Sequence, residues 1–230
     1  MAQNKATITT MVDGRIQRIR DNWFNSPDFP VTEKEHQIQG MRWAIEKELG
    51  VYLNPKTNEY IPQKKCGFIC DEMGLGKTTV ILGTWVGNYC EGQKTLIVVP
   101  PALLEQWRGC IEKYLKHNVY VYHGITAKTA TLEEIKEVPI VLTTYGMIRV
   151  RNKPLNYKSL LWGPHMKWDR LICDEAHHMR NIKTSLCKGA FRVLADIRWM
   201  VTGTPIQNKK ADLRVLFAHA GIFLKGEKEF

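Results

Sequence analysis

Hydrophobic positions along the chain follow two spacings in turn, beginning near residue 64. Short runs that are almost entirely apolar, such as KTLIVVP at 94–100, have the length of buried strands. Between them, stretches such as ALLEQWRGCIEKYL at 102–115 place apolar residues three and four apart, as an amphipathic helix does. Strands buried on both faces and separated by helices are typical of a mostly parallel central sheet with helices on both faces, so the pattern predicts an α/β fold. The predicted strands are 64–70, 94–100, 119–124, 139–145, 170–177 and 197–205, the predicted helices are 78–86, 102–115, 131–138 and 211–217, and a long basic connection is expected at 151–168.

The first sixty residues carry weaker patterns. Between Arg15 and Arg20, arginines are interleaved with isoleucines, which allows either a short basic amphipathic helix or a solvated arm. Thr32 and Glu35 have the spacing of a capping box, and the helix that they would open runs to Gly50. The turn-rich stretch at 51–63 predicts a surface loop or a hairpin. We therefore expect a variable N-terminal arm at 1–31, one main domain at 32–222 and a charged tail at 223–230.

Length and composition narrow the class of protein. The 230 residues suffice for one large domain or two small ones. The chain lacks an apolar run of the ~20 residues needed to span a bilayer, and its N-terminus lacks the apolar core of a signal peptide, so we expect an intracellular protein without a membrane partner. The six cysteines include no C-x-x-C pair, which favours reduced thiols over a zinc site. The net charge of +10 favours a polyanionic partner, although solvated surface charge would explain it as well.

The run DEMGLGKTT at 71–79 has the chemistry of a phosphate-binding loop. Gly74 and Gly76 would let the backbone turn its N–H groups toward phosphate oxygens. Lys77 would reach the β- and γ-phosphates and Thr78 would offer a hydroxyl to Mg²⁺. A predicted strand precedes the run and a predicted helix follows it, which completes an anion site. The strict phosphate-loop pattern has glycine where this chain has Asp71, so a glycine-rich turn with a nearby lysine is the alternative.

A second acidic motif follows the predicted strand at 170–177. In ICDEAHH (172–178), Asp174 lies where a phosphate-loop enzyme holds magnesium, and Glu175 could polarise a water molecule for attack on the γ-phosphate. Two carboxylates that are merely solvated at a strand end, or that cap the next helix, are the alternative.

Taken in order, these motifs resemble helicase superfamily 2, and most of all its Swi/Snf-type branch of DNA-dependent translocase ATPases. The resemblance covers about residues 31–220 and implies the first RecA-like lobe of a phosphate-loop NTPase. Asp71 fits this branch, and TGTPIQN differs from the Ser-Ala-Thr type of motif common in RNA helicases. The motifs are HQIQGMRW (36–43), DEMGLGKT (71–78), VVPPALLEQW (98–107), TTYG (143–146), DEAH (174–177) and TGTPIQN (202–208).

The resemblance also implies cofactors and roles for individual residues. ATP and Mg²⁺ are the implied cofactors, and double-stranded DNA is the implied partner. Trp107 could stack on a base, but its helical spacing from Leu103 and Leu104 favours the core. The implied roles are adenine recognition by Gln37; nucleotide binding by Met73, Gly74, Leu75, Gly76, Lys77, Thr78 and Thr79; magnesium binding by Thr78 and Asp174; catalysis by Lys77, Asp174 and Glu175; nucleic-acid contacts by Gln106, Thr143 and Thr144; and coupling of the two sites by His177, Thr202 and Thr204.

Enzymes of the resembled branch bind nucleotide between two RecA-like lobes, and the second lobe supplies an arginine to the transferring phosphoryl group. Residues 209–230 are too few for a second lobe, so we expect a fragment of a longer protein, with weak hydrolysis by this chain alone. An RNA helicase of the same superfamily and a non-catalytic binding module are the alternatives. The sequence indicates no oligomeric state. The resemblance predicts a nuclear protein, or a cytoplasmic one if the source is viral or microbial.

Overall fold

A computed structural model describes residues 5–28, 31–150, 160–205 and 210–223 of the chain, with backbone alone at 210–212. The chain divides into two compact units. The first comprises Met1–Gly67 and Asp71–Glu91, and the second comprises Phe68–Cys70 and Gly92–Phe230. The sequence predicted one main domain at 32–222, and those domain bounds stay a prediction.

The first unit is built from three helices and a hairpin. The helices are α1 (Lys5–Ile19), which continues as a π-helix through Phe24, α2 (Glu35–Leu49) and α3 (Lys77–Asn88). The strands β1 (Val51–Asn54) and β2 (Glu59–Pro62) pair antiparallel. The sequence allowed a surface loop or a hairpin at 51–63, and the structure shows the hairpin.

Helix α1 is packed rather than solvated. Its buried residues Ile8, Val12, Ile16 and Ile19 lie three and four apart along the sequence and therefore share one helix face. This face packs on α3 and α2. A buried polar group adds to the packing, because the Asn88 side chain accepts a hydrogen bond from Arg15 and donates one to Glu48. Of the two sequence-based alternatives, the structure shows the helix.

The start of α2 differs from the sequence-based prediction, and its end agrees. The helix begins at Glu35 with Lys34 as its N-cap and no side-chain cap, so the capping box predicted at Thr32 and Glu35 is wrong. Thr32 lies before the cap, while the neighbouring Glu33 pairs with Arg20 at 2.8 Å. Gly50 ends the helix in the left-handed conformation with φ 75°, as predicted.

The second unit is built around a six-stranded sheet in the order β3-β8-β7-β4-β6-β5. The pairings of β5 with β6, β6 with β4, β4 with β7 and β7 with β8 are parallel, which confirms the predicted sheet. Every residue of β4 and β6 is buried, so both faces of the sheet are covered there. The strands are β3 (Cys66–Ile69), β4 (Thr95–Val99), β5 (Val119–Tyr122), β6 (Ile140–Thr144), β7 (Lys167–Asp174) and β8 (Leu194–Val201).

Helices connect these strands, and several are short. The bounds are α4 (Leu104–Leu115), α5 (Thr126–Thr129), α6 (Leu132–Glu137), α7 (Tyr145–Ile148), α8 (Ser185–Arg192) and α9 (Lys210–His219). A capping box does form at α6, where Thr131 and Glu134 bond reciprocally. Part of the basic connection (151–159), Ile206–Asn208 of TGTPIQN and 224–230 of the charged tail lie outside the described residues. Among the helices that are described, none is long and apolar enough to cross a bilayer.

Register brings the carboxyl ends of the central strands to one edge of the sheet. Val98 of β4 pairs with Thr143 of β6 and with Cys173 of β7, and Asp174 pairs with Val201 of β8. Residues just beyond these positions therefore gather at a single edge, which is where ligands bind in open α/β sheets.

Truncating the buried face of α1 should destabilise the protein. Ile16 is fully buried in that face, and we expect Ile16→Ala to lower the free energy of unfolding by about 2–5 kcal/mol through lost apolar contacts and the remaining cavity. Urea denaturation followed by circular dichroism measures the change.

Met11 provides a matched control on the same helix, because 44% of its surface is exposed. We expect Met11→Ala to change the free energy of unfolding by roughly 0.5 kcal/mol or less. Equal effects of the two substitutions would mean that α1 does not pack as the structure shows.

Candidate active site

The predicted phosphate-binding loop lies in the first unit, immediately before α3. Gly74 and Gly76 have φ of 86° and 88°, a left-handed conformation that side chains disfavour. Gly76 is also the N-cap of α3, so Lys77 is the first residue of this 12-residue helix. A Cβ on residue 76 would overlap Nε2 of Gln37, whereas one on residue 74 would meet no atom within 4 Å. The backbone conformation therefore favours glycine at 76, and a side chain there would also have to displace the end of the Gln37 side chain.

The side chain of Lys77 binds backbone atoms of the loop. Its ammonium group donates hydrogen bonds to the carbonyl oxygens of Asp71 at 2.9 Å and Glu72 at 3.2 Å. Thr78 and Thr79 follow in the first helical turn and are half-buried, while Met73 and Leu75 are exposed. The helix N-terminus, with its unpaired N–H groups and the adjacent cation, forms an environment that favours a bound anion.

Gln37 contacts this loop from α2. Its side-chain amide donates to the carbonyl oxygen of Leu75 at 3.1 Å, and a ring nitrogen of His36 lies 3.2 Å from the same oxygen. Gln37 is 4% exposed, and its Oε1 atom has no hydrogen-bond partner among the described residues. A buried acceptor of this kind suits an amino group such as that of adenine, so the residues present fit a nucleotide. The structure adds a role in supporting the loop that the sequence did not indicate.

Asp174 ends β7 in the second unit, at the carboxyl edge of the sheet. The residue is 7% exposed, and its carboxylate accepts hydrogen bonds from the N–H of Glu175 at 3.0 Å and from the indole N–H of Trp107 at 2.7 Å. The hydroxyl of Tyr145 donates to the main-chain carbonyl of Asp174 at 2.6 Å. The site thus holds a carboxylate, the ligand type that Mg²⁺ prefers, in a defined orientation.

Burial keeps two neighbours of Asp174, Tyr145 and Cys173, uncharged. Burial raises the pKa of Tyr145 well above its ordinary value, and the neighbouring acidic groups Cys173, Asp174 and Glu175 add to the shift. Burial likewise raises the pKa of the Cys173 thiol to about 12. Both groups therefore stay protonated at neutral pH, and Tyr145 remains a hydrogen-bond donor.

Glu175 turns the chain out of β7 and joins a polar network. Its φ of 49° is left-handed, an unusual conformation for glutamate that redirects the chain into a short 3₁₀ helix. Its Oε2 atom lies 3.1 Å from Nδ1 of His177 and 3.4 Å from the hydroxyl of Thr202, which donates to it. A carboxylate can only accept, so this geometry favours the tautomer of His177 with hydrogen on Nδ1.

The same network includes both threonines of the TGTP segment. Thr202 Oγ1 lies 3.0 Å from Nδ1 of His177 and accepts from the backbone N–H of Thr204 at 3.2 Å. Thr204 Oγ1 is 3.5 Å from the same ring nitrogen. The structure therefore brings together Glu175 and the three residues predicted to couple the sites. The coupling of a nucleotide site to a nucleic-acid site by His177, Thr202 and Thr204 stays a prediction.

Of the three predicted nucleic-acid contacts, one has an exposed side chain. Gln106 is exposed on α4. Thr143 and Thr144 are buried, with the Thr143 hydroxyl donating to the carbonyl oxygen of Tyr122 at 2.7 Å and the Thr144 hydroxyl 3.2 Å from the His123 ring. The structure thus gives both threonine side chains internal partners at the sheet edge, and a contact of these residues with a nucleic acid stays a prediction.

The sequence predicted that Trp107 lies in the core, and its burial confirms this. The sequence did not predict the hydrogen bond from Trp107 to Asp174. Periodicity reports only whether a side chain faces the interior. The available signal was chemical, because a buried indole N–H usually has a hydrogen-bond partner and the nearby strands end in polar residues.

Comparison with protein families matches residues 36–227 to the model described as SNF2-related domain. Transcription termination factor 2 of Drosophila melanogaster is 38% identical, and its alignment covers 94% of this chain and 24% of the relative. An uncharacterized ATP-dependent helicase of Schizosaccharomyces pombe is 32% identical over 77% of this chain and 18% of its own length. The chain therefore spans a quarter or less of these relatives.

Solved structures agree on the fold. The SWI2/SNF2 ATPase core of Sulfolobus solfataricus, determined in complex with double-stranded DNA, has a TM-score of 0.63 and 24% sequence identity to this chain. The match covers 83% of this chain and 36% of that structure. At this identity the likeness shows the fold.

Alanine substitutions at the two loop glycines should separate backbone strain from steric contact. Gly74→Ala carries only the cost of a left-handed alanine, so we expect the free energy of unfolding to fall by about 1–2 kcal/mol. Gly76→Ala adds the overlap with the Gln37 amide, so we expect a larger loss. Thermal or urea unfolding of both variants measures the difference, and equal losses would contradict the close approach of Gln37.

Proposed function

This chain belongs to the SNF2-related domain family, and from this premise we propose that it is the ATP-binding lobe of a DNA-dependent ATPase that translocates on double-stranded DNA. One observation carries the proposal. Lys77 begins a helix that follows two glycines, Gly74 and Gly76, whose left-handed conformations turn the loop in front of the helix N-terminus, and this arrangement supports a phosphate-binding loop.

The proposed nucleotide contacts are stated for each unit by itself. In the first, Lys77, Thr78, Thr79 and the loop N–H groups of 73–76 would hold the phosphates, Thr78 would be a magnesium ligand, and Oε1 of Gln37 would accept a hydrogen bond from adenine. In the second, Asp174 would be a magnesium ligand. Bound Mg²⁺ would neutralise charge that develops on the phosphates.

Glu175 is the proposed general base. Its carboxylate would accept a proton from the attacking water, and its Oε2 atom is held by the contacts to His177 and Thr202. A held carboxylate loses less rotamer freedom when it aligns a water molecule. The same contacts would transmit a change at the TGTP segment to the base, which supports the proposed coupling role of His177, Thr202 and Thr204.

Full activity would require a second RecA-like lobe, and the relatives are several times longer than this chain. By family resemblance that lobe would supply an arginine to the transferring phosphoryl group, a contribution worth ~10³–10⁵ in rate in related enzymes. We therefore propose that this chain alone binds ATP weakly and hydrolyses it slowly. A DNA substrate would place the whole protein in the nucleus, or in the cytoplasm of a viral or microbial system.

Removing the ammonium group of Lys77 should abolish turnover. In the full-length protein that carries this lobe, we expect Lys77→Ala to lower DNA-stimulated ATPase activity at least ~10²-fold, because a preorganised charge is lost. A coupled phosphate-release assay with duplex DNA measures the change. Lys56→Ala removes the same charge from the exposed β1–β2 turn and should leave the rate unchanged. Wild-type turnover in Lys77→Ala would refute the proposed function.

The nucleic-acid partner should be duplex DNA. We expect duplex DNA to stimulate ATPase activity more than single-stranded RNA, and we expect DNA affinity to fall linearly on a log–log plot against salt as bound cations are released. Activity assays with each polymer and binding titrations from 50 to 200 mM salt test this. Stronger stimulation by RNA would favour an RNA helicase, and a protein that binds DNA without ATPase activity would be a binding module.

A further inference from the structure

Trp107 makes a contact that none of the proposed roles explains. It lies on α4, is 2% exposed, and donates its indole N–H to Oδ2 of Asp174 at 2.7 Å. The indole N–H can donate but cannot accept. A hydrogen bond to a charged acceptor is roughly twice as strong as one between neutral groups, and burial strengthens it further. The contact is therefore a strong constraint on the Asp174 side chain.

The two carboxylate oxygens of Asp174 have different donors, and this fixes the plane of the group. Oδ1 accepts from the backbone N–H of Glu175, and Oδ2 accepts from Trp107. The backbone donor comes from the adjacent residue and is present in any sequence. Trp107 donates from a side chain, and it lies on a different element, the helix α4. Rotation of the carboxylate about its terminal bond would break the contact with Trp107.

Helix α4 presents Trp107 here because of the order of the strands. The helix follows β4, which is the parallel neighbour of β7, and Val98 of β4 pairs with Cys173. The first turns of α4 therefore begin beside the residue that ends β7. Leu104 and Ile111 are buried on the same helix as Trp107, so the indole is held by packing as well as by its hydrogen bond.

We propose that Trp107 is a positioning residue for the divalent cation: its indole N–H holds the Asp174 carboxylate in the orientation that binds Mg²⁺ with nucleotide. This inference rests on the proposed function, because it takes Asp174 as the magnesium ligand. Groups that orient metal ligands in this way typically contribute 10–100-fold to metal affinity or activity.

The test is the magnesium dependence of nucleotide binding by the full-length protein that carries this lobe. A fluorescent ATP analogue is titrated at a series of Mg²⁺ concentrations and again in EDTA. For Trp107→Phe we expect the Mg²⁺ concentration at half-saturation to rise by roughly 10–100-fold. We expect affinity in EDTA to stay unchanged, since Lys77 and the loop N–H groups bind phosphate without the metal. A general loss of structure would instead weaken binding in both conditions.

Trp168 provides a matched control in the same unit. It is 1% exposed and donates its indole N–H to the carbonyl oxygen of Leu161 at 2.9 Å. Trp168→Phe removes an equally buried donor, and its magnesium dependence should equal that of the wild type. If Trp107→Phe does not fold, an isostere of tryptophan with sulfur in place of the N–H, installed at position 107, keeps the ring shape and removes only the donor.

The outcomes distinguish the two proposals. If the wild type binds the analogue with magnesium dependence and the variants at 107 match it, the positioning role is wrong and the proposed function stands. If the wild type binds no nucleotide, the proposed function itself fails. A rise in the Mg²⁺ requirement that is confined to the variants at position 107 supports the inference.

Discussion

A carboxylate buried at the tip of a strand is the constraint on which the second unit depends. Asp174 is 7% exposed, and a charged group in that position is costly unless hydrogen bonds replace its water. The backbone N–H of the Glu175 turn and the indole of α4 both donate to the carboxylate, while the hydroxyl of Tyr145 at the start of α7 donates to the main-chain carbonyl of the same residue. Because α4 follows β4, the contact with the indole depends on β4 being the neighbour of β7.

The turn at Glu175 shows how the same edge separates two carboxylates that are adjacent in sequence. A continued strand would direct residue 175 to the opposite face of the sheet from Asp174. The left-handed conformation instead turns the chain into a 3₁₀ helix, and Glu175 meets His177 and Thr202. One carboxylate is thereby held in the interior by neutral N–H donors, and the other remains partly exposed beside His177 and Thr202. Two chemically identical groups acquire different environments, as a magnesium ligand and a general base would require.

Much of this arrangement could be predicted from the sequence, because its signals are local. Runs of apolar residues indicated all six strands of the sheet, and Gly74 and Gly76 indicated the tight turn before α3. What could not be predicted depends on contacts between residues far apart in the chain. Periodicity placed Trp107 in the core but could not show that its N–H faces Asp174. A motif comparison predicted Thr143 and Thr144 along a nucleic-acid track but could not show that the parallel register buries both side chains against β5 and its following loop. The capping box at Thr32 had the right spacing, but Glu33 is paired with Arg20 and the helix begins later.

The N-terminal helix is the clearest case of a long-range determinant. Residues 5–24 precede the part of the chain that matches the family model, yet they pack on α3, the helix that Lys77 begins. Gly87 allows this approach, because a Cβ there would lie 2.9 Å from Cδ1 of Ile19. Arg18 contacts the carbonyl oxygens of Gly87 and Tyr89 at the end of α3, where a cation complements the helix dipole. Charge complementarity at this end and the proposed phosphate binding at the other would act on the same dipole. The helix that Lys77 begins is therefore supported by a segment whose sequence, read alone, allowed a solvated arm as well as a helix.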